Sequence, residues 1–231
     1  MVHLAAIAFV GHDDIEEMYR SNVVGTRQLL NVLSEMVEAP KSVLIASSAN
    51  VYGNAREGML DETMLPAPAN DYGVTKVAVE HLGRIYGTEL PLITVRPFNY
   101  TGRGQSSEFL IPKIVEHTRR RAPSIELGNL DVARDFSDVR TVVEAYAQLL
   151  DAPRAIGETF NICSGRAVSL GEILEMIRAI TGHCFDVRVN PALVRANEVR
   201  TLSGNAAKLE SVLGALDRIP LEDTLRWMLE D

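Results

Sequence analysis

Cysteine is scarce in this 231-residue sequence, which holds Cys163 and Cys184 and no others. They lie too far apart for a C-x-x-C redox or zinc motif and offer no disulfide framework, so a reducing, cytoplasmic setting fits best. The five histidines lack metal-ligand spacing and read as structural or surface residues, so no metal site is expected. Basic residues are also short: 23 Lys and Arg stand against 31 Asp and Glu, giving a net charge of −8 and a pI near 5.2. Binding a phosphate backbone needs the opposite excess on one face, which excludes nucleic acid as a general partner. The one basic run, Arg119-Arg120-Arg121, sends its side chains in different directions from a helix end. It reads first as solvated charge, with contact to an anionic ligand as the minority reading. No apolar run approaches the length that crosses a bilayer. The opening MVHLAAIAFVG lacks a basic leader and soon meets His12-Asp13-Asp14, so no secretory signal is expected either.

What is present suits a globular α/β protein. Apolar residues make up 46% and charged residues 23%, and a chain of this length buries roughly 70–75% of its unfolded surface. Val2 to Ala6 reads as a buried strand ending in small residues. Asp13 or Asp14 is placed to cap a helix whose apolar face carries Ile15, Met18, Val23, Leu29, Leu30 and Leu33, with Pro40 at its exit. SVLIA, Ser42 to Ala46, predicts a second buried strand, stopped by Ser47-Ser48. The acidic, Pro- and Gly-rich stretch from Gly53 to Asn70 is too long for a simple connection and reads as a functional loop. A helix from Asp71, with Val74, Val77, Ala78, Leu82 and Ile85 along its apolar face, leads past Pro91 to a strand at Leu92 to Val95.

Strand, helix, strand, helix, strand implies a parallel sheet with right-handed crossovers, half of a doubly wound fold. The remainder predicts a helix near Glu108 to Arg121, a strand pair at Ser124 to Leu127 and Arg134 to Phe136, and a helix from Asp138 to Leu150. A strand at Thr159 to Ile162, a helix from Ser169 to Thr181, a strand at Phe185 to Val189 and two short C-terminal helices complete it.

Tyr72 and Lys76 stand four apart at the start of a helix, so their side chains share a face. An ammonium beside a phenol stabilises phenolate and is expected to draw the tyrosine pKa down toward neutrality, which suits proton transfer at a carbonyl or hydroxyl. Y-x-x-x-K alone is a weak pattern. Ser48 strengthens it, because it sits just past a buried strand, where the carboxyl ends of parallel strands gather ligand-binding groups.

SSANVYG followed by DYGVTK, with HLAA ahead of both, resembles the extended short-chain dehydrogenase/reductase family of nucleotide-sugar epimerases, dehydratases and reductases. The resemblance runs the length of the chain. It implies a Rossmann-type parallel sheet with a small C-terminal α/β substrate-binding subdomain. Residues 1–98 would be the C-terminal half of the dinucleotide-binding domain and 99–231 mainly the nucleotide-sugar region, with elements around 138–163 returning to the first. It also implies Ser48, Tyr72 and Lys76 as catalytic residues and NAD or NADP as cofactor, contacted by Ala5, Ala6, Asn22, Ser47, Tyr72, Lys76 and Pro97, with Asn22 propping the active-site backbone. RPFNYTGRGQ is similar to the segment that passes under the nicotinamide and turns to the substrate, where Asn99 would contact the sugar.

LGNLDVARDFSDVR is similar to the branch that dehydrates GDP-mannose or reduces GDP-4-keto-6-deoxymannose. The implied partner is a nucleotide-diphosphate sugar, GDP-linked in preference, with Asn50, Lys113, Gly128, Asn129, Leu130, Arg134, Arg195 and Glu198 as further contacts. A homodimer through the helices flanking the Ser48 strand is the assembly the resemblance implies.

Dehydratases of this kind carry a carboxylate two residues after the catalytic Ser or Thr; here that position is Asn50. An amide takes up no proton near neutral pH, so dehydration is disfavoured, and reduction of a 4-keto group leads, with UDP-sugar 4-epimerisation as runner-up. The family's glycine-rich G-x-x-G-x-x-G turn is absent. The chain opens on what resembles the fourth strand, so roughly 60 residues, about two βα units, are expected to be missing. An incomplete sequence accounts for this better than a degenerate scaffold, because the downstream catalytic residues are intact. The chain as written is expected to hold its cofactor weakly.

Overall fold

The computed structural model describes residues 1–54, 58–193 and 199–230. In chain order the strands are β1 (Val2–His3), β2 (Val43–Ala46), β3 (Gly58–Leu60), β4 (Leu92–Pro97), β5 (Asn99–Thr101), β6 (Ser124–Leu127), β7 (Ala133–Asp138), β8 (Thr159–Ile162), β9 (Ala167–Ser169), β10 (Asp186–Val189) and β11 (Thr201–Gly204). The α-helices are α1 (Ile15–Tyr19), α2 (Thr26–Ser34), α3 (Asp71–Tyr86), α4 (Leu110–Arg119), α5 (Val139–Leu150), α6 (Leu170–Thr181), α7 (Ala207–Leu213) and α8 (Leu221–Leu229).

The main sheet runs β1-β2-β4-β8 and is parallel throughout. Its two central strands, β2 and β4, carry the apolar runs VLIA and LITV, because both faces are covered. Val43 and Ile45 pack on one side against Leu30 and Leu33 of α2 and Val79 of α3. Leu44, Ile93 and Phe160 pack on the other against Val142, Ala145 and Leu149 of α5 and Leu209 of α7. Each fully buried Leu, Ile or Phe contributes about 1.5–3 kcal/mol, so this sandwich of helices on sheet fixes where the strand ends lie. The doubly wound parallel arrangement is the one expected.

A second core joins Ile111 and Ile114 of α4, Ile125 and Leu127 of β6, Ile173 and Ile177 of α6, and Leu225 of α8. The caps are local. Asp14, Asn70, Asp138 and Ser169 each accept a backbone N–H at a helix start, Ser169 within a capping box with Glu172, and such caps are worth about 1 kcal/mol apiece. Gly182 ends α6 in the left-handed conformation.

Four expectations are corrected. The first strand stops at His3 and does not reach Ala6. The first helix is broken by a π-helical turn over Arg20–Gly25, and Ile15 at its start is exposed. Ser124–Leu127 pairs with β10, while Ala133–Asp138 pairs with β5, β9 and β11; the two segments are adjacent in sequence but belong to different sheets. On α3 the buried face is Tyr72, Thr75, Lys76, Val79, Glu80 and Gly83, while Val74 and Ile85 of the apolar stripe point outward. Polar atoms at the strand ends satisfy that polar inner face, which apolar periodicity does not reveal. Arg119, Arg120 and Arg121 are exposed, Arg119 bonded to the Glu230 carbonyl and Arg120 paired with Glu116.

Candidate active site

The carboxyl end of β2 meets the inner face of α3 residue by residue. Lys76 Nζ donates to the Ala46 carbonyl at 2.8 Å, Ser47 Oγ donates to Glu80 Oε1 at 2.6 Å, and the Ser48 hydroxyl lies beside the Tyr72 phenol. Positions 72, 76 and 80 recur every fourth residue and so share a helix face. The three candidate catalytic residues are therefore brought together, with Lys76 Nζ 5.6 Å from the centre of the Tyr72 ring.

Burial dominates their ionisation. It raises Tyr72 to about 12, against the influence of the Ser48 hydroxyl, which lowers it; the nearby Tyr100 adds to the rise. This corrects the expectation of a depressed phenol: the ammonium is turned to Ala46, and desolvation of the phenolate outweighs it. Burial also lowers Lys76 to about 8. His3 is held below its ordinary value by burial and then by Lys76, and its Nε2 lies 2.9 Å from Thr26 Oγ1.

Asn22 lies within the π-helical turn and is buried. Its Oδ1 accepts from the Ile7 amide at 2.7 Å, and its Nδ2 donates to the Ile7 carbonyl at 3.0 Å and to Thr75 Oγ1 at 3.1 Å. All of its hydrogen bonds are internal, so it supports the backbone after β1 and reaches a ligand only through it. Ala5 is exposed and Ala6 half-buried just beyond β1, and Pro97 is buried at the end of β4. Ser47 is buried with its hydroxyl committed to Glu80. Small residues past one strand end, with Tyr72 and Lys76 at its neighbour, fit the nicotinamide end of a dinucleotide.

Among the residues expected to contact substrate, Asn50 Nδ2 donates to Ser48 Oγ at 3.1 Å and its Oδ1 accepts from Asn70 at 3.4 Å. Asn99 is exposed on β5, its Nδ2 donating to the Asp135 carbonyl at 3.0 Å. Asp135 is itself fully buried and accepts from Ser164, Gly165 and Gly204 amides and the Ser164 hydroxyl. Next to it, Arg134 donates to the Ala133 and Val199 carbonyls, both at 2.9 Å. Asn129 accepts from the Asp131 amide, the Leu130 carbonyl accepts from Gly171, and Gly128 and Leu130 are half-buried. Lys113 Nζ is tied to the Glu126 carbonyl at 3.0 Å. Arg195 and Glu198 lie outside the described residues. A cavity of about 480 Å³ between the 102–107 loop, α4 and α8 is lined by Arg103, Gln105, Arg119 and Met228 among others and includes none of Ser48, Tyr72 or Lys76.

Sequence reasoning missed Glu80 and Arg96. Arg96 grips Glu80 with two parallel bonds, Nε to Oε1 at 2.8 Å and an Nη to Oε2 at 2.7 Å, with both side chains almost wholly buried. Its other Nη donates to the Tyr52 hydroxyl at 2.9 Å, which in turn donates to Asn161 Oδ1 at 2.7 Å. The signal was available: a lone arginine inside the aliphatic strand LITVRP, and a glutamate one further step along the Tyr72, Lys76 face.

A parallel sheet with Ser, Tyr and Lys gathered at the carboxyl ends of its strands defines a short-chain dehydrogenase-type protein. The family model described as GDP-mannose 4,6 dehydratase matches residues 1–228, and the chain belongs to this family of NAD(P)-dependent nucleotide-sugar epimerases, dehydratases and reductases. It is 35% identical to GDP-6-deoxy-D-talose 4-dehydrogenase from Aggregatibacter actinomycetemcomitans over 93% of this chain and 72% of that one. With GDP-6-deoxy-D-mannose reductase from Pseudomonas aeruginosa it shares 33% identity over 100% of its own length and 79% of the relative's. Among solved structures, the NADPH complex of RMD from Pseudomonas aeruginosa superposes with a TM-score of 0.89 at 30% identity, covering 99% of this chain and 78% of that one. No helix among the described residues is long and apolar enough to cross a membrane.

Proposed function

We propose that this chain carries the proton-transfer centre of an NAD(P)H-dependent reductase acting on a GDP-4-keto-6-deoxyhexose. The observation that carries the reading is Asn50: where a dehydratase needs a base, this site holds an amide that donates to Ser48. It can orient a substrate oxygen but cannot take a proton from carbon. The GDP-linked relatives, a 4-dehydrogenase and a reductase, support the same class. A UDP-sugar 4-epimerase uses the same proton relay and stands as the alternative.

When bound, NAD(P)H supplies a hydride to the carbonyl carbon of the sugar. Tyr72, raised to about 12, keeps its proton through neutral pH and delivers it to the carbonyl oxygen. Ser48, beside the phenol, holds that oxygen. Lys76 stands 5.6 Å from the ring centre, where its charge offsets the phenolate left behind until solvent restores the proton. Asn99 and Arg134, together with Gly128, Asn129 and Leu130, form the sugar-nucleotide side in this reading, with Lys113 as a further cation for the anion.

The test is consumption of NADPH with GDP-4-keto-6-deoxymannose. Turnover that falls about 10²–10⁴-fold in Tyr72→Phe supports the proposal. No consumption by the native chain, with no binding of GDP, would instead mark a non-enzymatic remnant, and tighter binding of UDP than GDP would favour the epimerase. We also propose a cytoplasmic homodimer. The exposed thiol of Cys184 suits a reducing compartment, and the outward Val74 and Ile85 of α3 with Val32 of α2 offer the apolar face. Sedimentation as a monomer at micromolar concentration overturns the dimer.

A further inference from the structure

The Glu80–Arg96 pair is costly to bury, and nothing in the proton relay uses it. Breaking even against apolar residues is the usual result for such a pair, so stability alone is a weak reason for its presence. Its connections suggest another reason. Glu80 Oε1 accepts from both Ser47, just past the end of β2, and Arg96 of β4, and Arg96 reaches through Tyr52 to Asn161, its register partner on β8. Asn161 continues the chain, its Nδ2 donating to the Leu60 carbonyl and its amide to Glu62. One satisfied polar network thus crosses the carboxyl ends of three adjacent strands and ends on α3, one helical turn beyond Lys76.

We propose that Glu80 and Arg96 are positioning residues, whose ion pair locks the inner face of α3 onto the ends of β2, β4 and β8 and thereby holds Ser48 and Tyr72 on one substrate oxygen. Lys76–Ala46 and Ser48–Tyr72 join the end of β2 to α3 through the reacting groups themselves, while the Ser47–Glu80 hydrogen bond adds a polar brace to the packing of Ile45 on Val79 without taking part. The pair carries no net charge, so its action is on geometry. A displacement of about 1 Å at such a site costs up to 10²-fold in rate.

The proposal rests on the reductase reading, and two measurements separate them. The variant Glu80→Met/Arg96→Met replaces the pair by apolar side chains of similar length and leaves no lone buried charge. Expected is a cooperatively folding protein in which kcat for NADPH consumption falls about tenfold or more while KM stays within about twofold. The second measurement follows the ammonium of Lys76 by NMR of ¹⁵N-labelled lysine, where Lys41, Lys113 and Lys208 are the other signals. His3 and Tyr72 are the titratable groups facing it. Expected is a midpoint lowered to about 8 by burial in the native protein and one moved toward the ordinary lysine range in the double variant as the braced contact loosens. A folded double variant with unchanged kcat and unchanged Lys76 titration overturns the proposal. Should that variant fail to fold, Ser47→Ala decides: lowered kcat with an unshifted melting temperature supports positioning, and unchanged kcat refutes it. If the native chain consumes no NADPH, the reductase reading fails and the Lys76 titration alone settles the brace.

Discussion

Lys76 Nζ donates to the Ala46 carbonyl at 2.8 Å, at the carboxyl end of the neighbouring strand, and so directs its ammonium to backbone. The lysine is held where it adjoins the Tyr72 ring without being captured by a carboxylate. A salt-bridged lysine would stay charged far above neutrality; this one, buried and paired only with a carbonyl, is lowered to about 8.

That shift makes stability depend on pH. The ordinary lysine value is 10.5 and the folded value about 8, so between them the unfolded chain binds more protons than the native one. Stability contributed at this site therefore rises as pH increases through that window and is lowest below about 8, where the buried group is charged. Against Lys76→Met as reference, the native protein should gain about 3 kcal/mol between pH 8 and 10.5. Urea unfolding of both proteins at points along that range measures it, kept below about pH 10 because ionising Tyr72, raised to about 12, acts in the opposite direction. A constant difference between the two proteins would refute the burial of the charge.

Asn22→Leu should be more damaging than its size suggests. The substitution leaves the Ile7 amide and carbonyl and the Thr75 hydroxyl without the partners they have now. Thr75 keeps its bond to the Tyr72 carbonyl, while each of the two abandoned Ile7 groups costs about 1–3 kcal/mol, so a loss of about 2–6 kcal/mol in unfolding free energy is expected. Dinucleotide binding should weaken as well, since the segment holding Ala5 and Ala6 runs into Ile7. Chemical denaturation gives the first quantity and an NADPH titration the second; wild-type values in both would remove Asn22 from the site.

The parallel sheet was legible because VLIA and LITV are short apolar runs between clear breakers, and α5 and α6 because Asp138 and Ser169 announce their starts. Ser48, Tyr72 and Lys76 were singled out by the family resemblance, since helical spacing and a strand end alone make only a weak pattern, and the structure brings the three side chains together. Three features were not legible. The polar inner face of α3 inverted the usual rule, since its hydrogen-bond partners come from strands distant in sequence. The pairing of β6 with β10 joins segments about 60 residues apart, which no local pattern encodes. The direction of the Tyr72 shift depended on how deeply the phenol is buried, a quantity that spacing does not supply.

Two glycines of α3 test how closely that helix must sit against the site. In an ordinary helix interior, replacing Gly by Ala stabilises by up to about 1 kcal/mol. At Gly83 an added Cβ would meet Thr94 Oγ1 at 3.7 Å and Ile45 Cδ1 at 3.9 Å, ordinary contacts, so Gly83→Ala should follow the rule and raise the melting temperature. At Gly73, beside Tyr72, the same atom would lie 2.8 Å from the Asn50 carbonyl oxygen and 2.9 Å from Pro68 Cβ. Neither is the free end of a flexible side chain, so the helix start must shift, at a cost of about 1–3 kcal/mol that exceeds the propensity gain. Gly73→Ala should therefore lower the melting temperature, and turnover should fall further than stability, because the displaced residues are Tyr72 and the Asn50 that bonds Ser48. Thermal melts of the two variants in parallel decide the matter: equal stabilisation at both positions would show that α3 does not depend on this contact.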